Sequence, residues 1–236
     1  MQPYFNFQGN ELFAVVAFLG TGLTLLLCAI ALPIFLRLGK KRLAQGSGWV
    51  ALSLLAVYLV TLLGFSLRSR EQVLAPGEEK YFCEVDCHLA YSVVAVRKTP
   101  LPPLEGGVRE VLYQVRVRVR FDRKTISPGR GDFPLHPNPR CVTVADEAGR
   151  RFEPTSEAEG LVVPPRGKAA SLEDPLRPGE SYVVDLAFRL PSDALAPRLL
   201  IIERSWLTRL LIGHENSFLH KKTSFSLAQE SPDAAQ

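Results

Sequence analysis

Two long runs without a charged side chain open the chain. In residues 12–36 only Gly20, Thr21, Gly22, Thr24 and Pro33 are not hydrophobic. As a helix this run spans roughly 37 Å, against a hydrocarbon core of about 30 Å. Residues 49–67 form a second uncharged run, opening on Trp49 and followed by Arg68 and Arg70, roughly 28 Å long as a helix. The pattern predicts two transmembrane helices. A cleaved signal peptide would carry a basic start and a shorter apolar stretch, whereas no Lys or Arg precedes Arg37, so the first run reads as retained. Gly20, Gly22, Thr24 and Cys28 place small residues along that helix, compatible with close helix packing or with ordinary membrane composition.

After Arg70 the pattern changes to short segments of period two, broken by Pro- and Gly-rich loops; only Pro3 and Pro33 of the 18 prolines lie before it. The clearest strand is 111–121, where Val111, Tyr113, Val115, Val117, Val119 and Phe121 face one way and Gln114, Arg116, Arg118 and Arg120 the other. Further strands are expected at 80–83, 88–98, 141–145, 151–154, 182–190, 199–205 and 223–227. Seven or eight short strands in this length predict an all-β domain, an immunoglobulin-like β-sandwich, with a Greek-key barrel as the alternative. The organisation expected is an outer tail (1–11), a first span (12–36), a basic cytoplasmic loop (37–48), a second span (49–67), a β-domain (71–227) and a disordered tail (228–236).

Charge sharpens this division. The 236 residues carry net charge +4, of which +3 belongs to the first 67, with Arg37, Lys40, Lys41 and Arg42 set against Glu11 alone. That cluster fixes the loop on the cytoplasmic side and puts both termini and the β-domain outside. The remainder is balanced, which excludes a strongly basic nucleic-acid-binding domain. No ionisable residue interrupts either span, so neither helix reads as part of an ion path.

The turn Ala75-Pro76-Gly77-Glu78, a long alternating strand, the turn Arg177-Pro178-Gly179-Glu180 and the stretch Val184-Asp185-Leu186-Ala187-Phe188-Arg189-Leu190-Pro191 follow one another in that order. Over residues 71–227 this resembles the immunoglobulin-like domain of uncharacterised bacterial membrane-anchored and surface proteins. The resemblance implies an extracytoplasmic binding or scaffold module and brings no catalytic residue.

Cys83-Glu84-Val85-Asp86-Cys87-His88 is the one constellation that could carry chemistry. If 80–83 and 88–98 are arms of a hairpin with Glu84, Val85 and Asp86 in its loop, Cys83 and Cys87 face each other within disulfide reach. Outside the membrane a disulfide is then expected. Three other readings stay open. Two spans followed by an outer β-domain with C-x-x-x-C resemble subunit II of the haem-copper oxidases, which implies copper, although Tyr91 and Val94 stand where that family has a histidine and a methionine. Cys83, Cys87 and His88 match a three-residue-spacer variant of the haem attachment motif. Cys83, Cys87, His88 and Cys141 offer a Cys3His set for zinc. Without metal, Cys141 is the odd thiol, since Cys28 lies in the first span.

Arg116, Arg118 and Arg120 form a row that could meet anionic headgroups or an acidic partner, or pair with acids on neighbouring strands such as Asp185 and Glu203. Arg130 lies in the long loop 123–140, which with 155–174 is the expected place of partner contact. His214, Glu215 and His220 miss the spacing of a zinc-protease helix, and the polar stretch 213–223 has no assigned role. No nucleophile elbow, phosphate loop or dinucleotide fingerprint occurs. The sequence therefore points to a non-enzymatic module of the cell membrane without a required cofactor, whose partners are the bilayer and another membrane or extracytoplasmic protein, as in an accessory subunit. A metal or electron-transfer subunit using Cys83, Cys87 and His88 is the alternative.

Overall fold

A computed structural model describes residues 4–7, 11–84, 87–102, 109–155 and 171–228. In chain order its elements are β1 (Tyr4–Phe5), α1 (Glu11–Arg37), α2 (Lys41–Arg68), β2 (Gln72–Leu74), β3 (Lys80–Cys83), β4 (His88–Pro100), β5 (Glu110–Phe121), β6 (Arg140–Ala145), β7 (Arg151–Phe152), β8 (Ser181–Pro191), β9 (Arg198–Glu203) and β10 (Thr223–Ser226). They form two compact units. The β unit holds residues 1–6, 71–204 and 222–236, and the helical unit holds 7–70 and 205–221. Residues 205–221, expected within the β-domain, thus group with the helices.

In the helical unit, α1 and α2 are both long and apolar enough to cross a membrane. The basic turn between them is short, and α2 starts at Lys41, eight residues ahead of the uncharged run. Apolar side chains point outward all round, Leu26, Ile30, Val57 and Val60 being about half to two-thirds exposed. The hydroxyls of Thr24 and Thr61 donate to the carbonyls of Gly20 and Val57, both at 2.8 Å, so each is satisfied within its own helix. Nothing lies within 4 Å of where a Cβ on Gly20 or Gly22 would stand, so these glycines do not mark a close helix contact.

The β unit consists of two five-stranded sheets, one ordered β1-β3-β4-β5-β8 and the other β2-β10-β9-β6-β7. Pairing is antiparallel except at two edges, where β1 runs parallel to β3 and β2 parallel to β10. One apolar core lies between the sheets, drawing Phe82, Val117 and Phe188 from the first and Leu74, Val144 and Phe225 from the second. The alternation of β5 places Val115, Val117, Val119 and Phe121 in that core and Arg116, Arg118 and Arg120 on the opposite face. The strands expected at 80–83, 88–98 and 111–121 agree with β3, β4 and β5 to within two residues. β1 and β2 are too short and too remote from their partners to leave a local pattern.

The two Pro-Gly-Glu turns are built alike. Gly77 and Gly179 take φ of +88° and +85°, a region that disfavours residues with a Cβ. In each turn the glutamate N–H donates back to the first residue's carbonyl, and its carboxylate accepts that residue's N–H at 2.7 Å. At Gly179 a Cβ would also stand 2.8 Å from Arg123 Nε, so both backbone angle and space require glycine.

The expected Cys83–Cys87 disulfide is not formed. The β3–β4 ladder sets Cys83 opposite His88, and the N–H of Glu84 donates to the Cys87 carbonyl at 2.8 Å. Glu84, not Cys83, therefore faces Cys87. Since successive strand residues point to opposite faces, this shift of one residue sends Cys87 into the core and leaves Cys83 on the outer face. Val85 and Asp86 lie outside the described residues. Protein denatured without reductant should titrate four thiols with a thiol reagent; a count of two would contradict this geometry.

Candidate functional site

The outer face of the first sheet gathers the arginine row. Arg116 on β5 stands directly opposite Asp185 on β8, and its Nε donates to the carboxylate at 2.8 Å. Arg120 reaches the other way. In register it faces Ala90 on β4, which faces Tyr81 on β3, and the small Ala90 side chain leaves room for the guanidinium to cross. It donates through Nε and a terminal nitrogen to both oxygens of Glu79, at 2.9 and 2.6 Å, and to the Tyr81 hydroxyl at 2.9 Å. Tyr81 in turn donates to Glu79 at 2.8 Å. Arg118 approaches the same carboxylate at 3.7 Å and Arg120 approaches Asp122 at 3.5 Å.

Of the acidic mates expected for the row, Asp185 serves, whereas Glu203 lies on the second sheet in register with Arg140. Glu79, which sequence reasoning missed, is shared between Arg118 and Arg120. Its carboxyl is held below the usual range by hydrogen bonding to Arg120, against the opposing effect of burial. The Arg120 guanidinium is correspondingly held in its charged form, while burial and Glu79 push the Tyr81 phenol up to about 12. Near neutral pH the trio has one charge state.

This ladder borders an open groove of about 640 Å³ lined by Tyr4, Phe5, the Pro76–Glu79 turn, Tyr81, Asp122, Lys124 and Thr125. Phe5, one of its lining residues, is tilted on Tyr81 at 5.3 Å between centroids and edge-on to His88 at 5.1 Å. Glu78 is tied to the N–H of Ala75, and Asp122 accepts the N–H of Lys124 at 3.0 Å. The groove thus presents aromatic surface with fixed carboxylates around it.

The metal-ligand set does not assemble. Cys83 and His88 share the outer face of the first sheet, Cys87 lies in the core, and Cys141 alternates with core-facing Val142 and Val144 onto the outer face of the second sheet. Cys83 and His88 bring their ligand atoms within 4.8 Å of each other, but Cys87 and Cys141 lie in other layers of the sandwich, so the expected set of four does not converge. Arg130 places its guanidinium 5.3 Å from the centre of the Phe121 ring. Of the loop 155–174, residues 156–170 lie outside the described residues.

A second group unforeseen from sequence lies between the sheets. Lys80 is fully buried and donates to the carbonyls of Ile201 at 2.8 Å and Thr223 at 3.2 Å. Arg140, also buried, pairs with Glu84, donates to the Tyr91 hydroxyl at 3.3 Å and stacks over the Phe82 ring at 4.4 Å. In K-Y-F-C the lysine occupies an inward position, a signal visible only once the register of β3 is known.

No family model matches the chain, and no curated protein matches it. Among solved structures it is similar to MPT63, a secreted protein from Mycobacterium tuberculosis, at 10% identity and a TM-score of 0.39 over 68% of this chain and 99% of that one.

Because folding lowers the pKa of Glu79, its pairing adds stability that is fully present above the carboxylate's ordinary value of 4.5 and is lost as pH falls through the lower folded value. Glu79→Gln should therefore lower Tm at pH 7, and the gap to the wild type should close below pH 4.5. A gap that stays constant in acid would refute the assignment.

Proposed function

We propose that the chain is a non-enzymatic, membrane-anchored binding or assembly module that presents an immunoglobulin-like sandwich outside the cytoplasm. In this reading α1 and α2 span the membrane, the turn bearing Arg37, Lys40, Lys41 and Arg42 stays in the cytoplasm, and the β unit meets a second membrane or extracytoplasmic protein through the groove at Phe5 and Tyr81. An accessory subunit of a larger membrane complex fits this description. What supports the immunoglobulin-like assignment is the parallel pairing of β2 with β10 and the order β10-β9-β6 in that sheet, which match first-to-last and G-F-C adjacency in such domains.

The observation that carries the binding role is the groove itself, with aromatic surface open to solvent and the carboxylates of Glu78, Glu79 and Asp122 tied within the protein. Proton transfer needs a group poised between two states at working pH, and Glu79, Arg120 and Tyr81 are each held in one. Burying an aromatic patch needs no such poise.

Alkaline phosphatase fused after Arg70 should be active in a bacterial host, and an inactive fusion would overturn the orientation. A photo-crosslinker at Lys124 should give one discrete adduct in intact membranes, absent from a control position at Arg151 and lost in Phe5→Ser. No adduct, or one indifferent to Phe5→Ser, would refute the groove as the contact.

A further inference from the structure

Residues Ser205–Lys221 belong to the helical unit, yet their only helical element is a short 3₁₀ turn at Leu207–Leu210. They lie along one stripe of α2. The Tyr58 hydroxyl donates to the Leu210 carbonyl at 2.6 Å, Leu62 and Ile212 belong to one buried apolar cluster with Phe7 and Ala14, and the Ser69 hydroxyl accepts the N–H of Lys221 at 2.8 Å. Tyr58 precedes Arg68 by ten residues, about 15 Å of helix. The segment therefore runs back along the apolar flank of α2 for about half the thickness of a hydrocarbon core.

Its polar groups turn inward. The Ser217 hydroxyl donates to the Leu211 carbonyl, the Thr208 hydroxyl to Ser205 at 2.7 Å, and the Asn216 side-chain amide to Thr208 at 3.1 Å. Backbone turns link Arg209 to Trp206, Leu211 to Thr208, His214 to Leu211, Ser217 to His214 and His220 to Ser217. His214, Glu215 and Ser217 are at most 3% exposed, while Trp206, Leu207, Phe218 and Leu219 are 43–69% exposed. A loop in water has the opposite arrangement. Leu219 also holds φ at +63°, where a glycine or asparagine would be less strained, while projecting its side chain away from the protein.

We infer that residues 205–219 lie within the bilayer as a non-helical wedge beside α2, with Trp206, Leu207, Phe218 and Leu219 among the lipids of the extracytoplasmic leaflet. The inference rests on the proposal that α1 and α2 span the membrane. Irregular backbone enters hydrocarbon only where its hydrogen bonds are met within the protein, and in this segment the N–H groups of Arg209, Leu211, His214, Asn216, Ser217, His220 and Lys221 are met by its own turns, by the His214 ring and by Ser69. Its exposed apolar side chains continue the outward apolar surface of the helices. Trp206 brings an amphipathic ring to this leaflet.

Trp49 and Trp206 are the two tryptophans of the chain, so each can report alone in the full-length protein. Trp49→Phe and Trp206→Phe would be reconstituted in vesicles containing phosphatidylcholine brominated near the headgroup. With Trp206 as sole reporter, the bromines should remove about half of the emission, as for an interfacial ring, and acrylamide should quench weakly. If Trp49 is quenched by bromines but Trp206 answers only to acrylamide, the wedge lies in water and the inference is overturned. If Trp206 answers to neither quencher, protein covers it, and the lipid assignment is likewise overturned. If neither tryptophan senses the bromines and alkaline carbonate extracts the protein, the spanning proposal itself fails, separately from the wedge.

Discussion

The apolar side chains that α1 and α2 leave uncovered set the terms for the whole molecule. Each leucine or valine kept in water forgoes about 1.5–3 kcal/mol relative to burial. A dozen such residues would outweigh the 5–15 kcal/mol by which a typical domain is stable. The helices carry Leu19, Leu23, Leu26, Leu27, Ile30, Val57 and Val60 in that condition. The bilayer of the proposed arrangement would resolve the conflict and impose its own rule, that polar groups be satisfied internally. Thr24 and Thr61 follow it by bonding back to Gly20 and Val57, and Tyr58 follows it by bonding to Leu210.

The β unit obeys the opposite economy, with apolar side chains inside and most charges on its faces, the exceptions between the sheets being Lys80, Glu84 and Arg140. The β9–β10 ladder pairs Leu199 with Phe225 and Arg198 with Ser226. Two residues along, the Lys80 ammonium receives the carbonyls of Ile201 and Thr223 from the facing sheet. It thereby bridges β3 to both β9 and β10 with groups that would otherwise be buried and unmet. Arg140 works from the second sheet toward the first, reaching Glu84 and Tyr91. A methionine could fill either volume, but it would remove the Lys80 donor from those carbonyls and the Arg140 donor from the Glu84 carboxylate and the Tyr91 phenol, and a buried polar group left short of a partner costs about 1–3 kcal/mol.

Local pattern made the helices, β5 and the Pro-Gly-Glu turns legible, because in each the signal and its cause lie within a dozen residues. What escaped depends on register or on distant chain. The Cys83–Cys87 expectation failed by one position, and in a strand one position exchanges the faces. Glu79 stands beside Glu78 with nothing local to distinguish them, yet one caps its own turn and the other crosses two strands to Arg120. Residues 205–221 fall within the expected β-domain, and the polar stretch 213–223 has no assigned role there, because their partner, α2, lies about 150 residues earlier. Lys80 reads as a surface lysine until the alternation of β3 is anchored by Phe82 in the core.

The pairing of the arginine row also decides what kind of recognition the outer face can perform. Arg116 is spent on Asp185, and Arg118 and Arg120 converge on Glu79 with Asp122 close by, so three positive charges meet three negative ones on one face. Fields from such neutralised clusters fall away within a Debye length of about 8 Å at physiological salt. Long-range attraction of an acidic partner or of anionic headgroups therefore has no source in this row. What remains for recognition is short-ranged, namely the rings of Tyr4, Phe5 and Tyr81 and the fixed acceptors around them. A partner that covered those rings would bind with little dependence on ionic strength, held by the area it removes from water and by donors that match Glu78 and Asp122 at the rim.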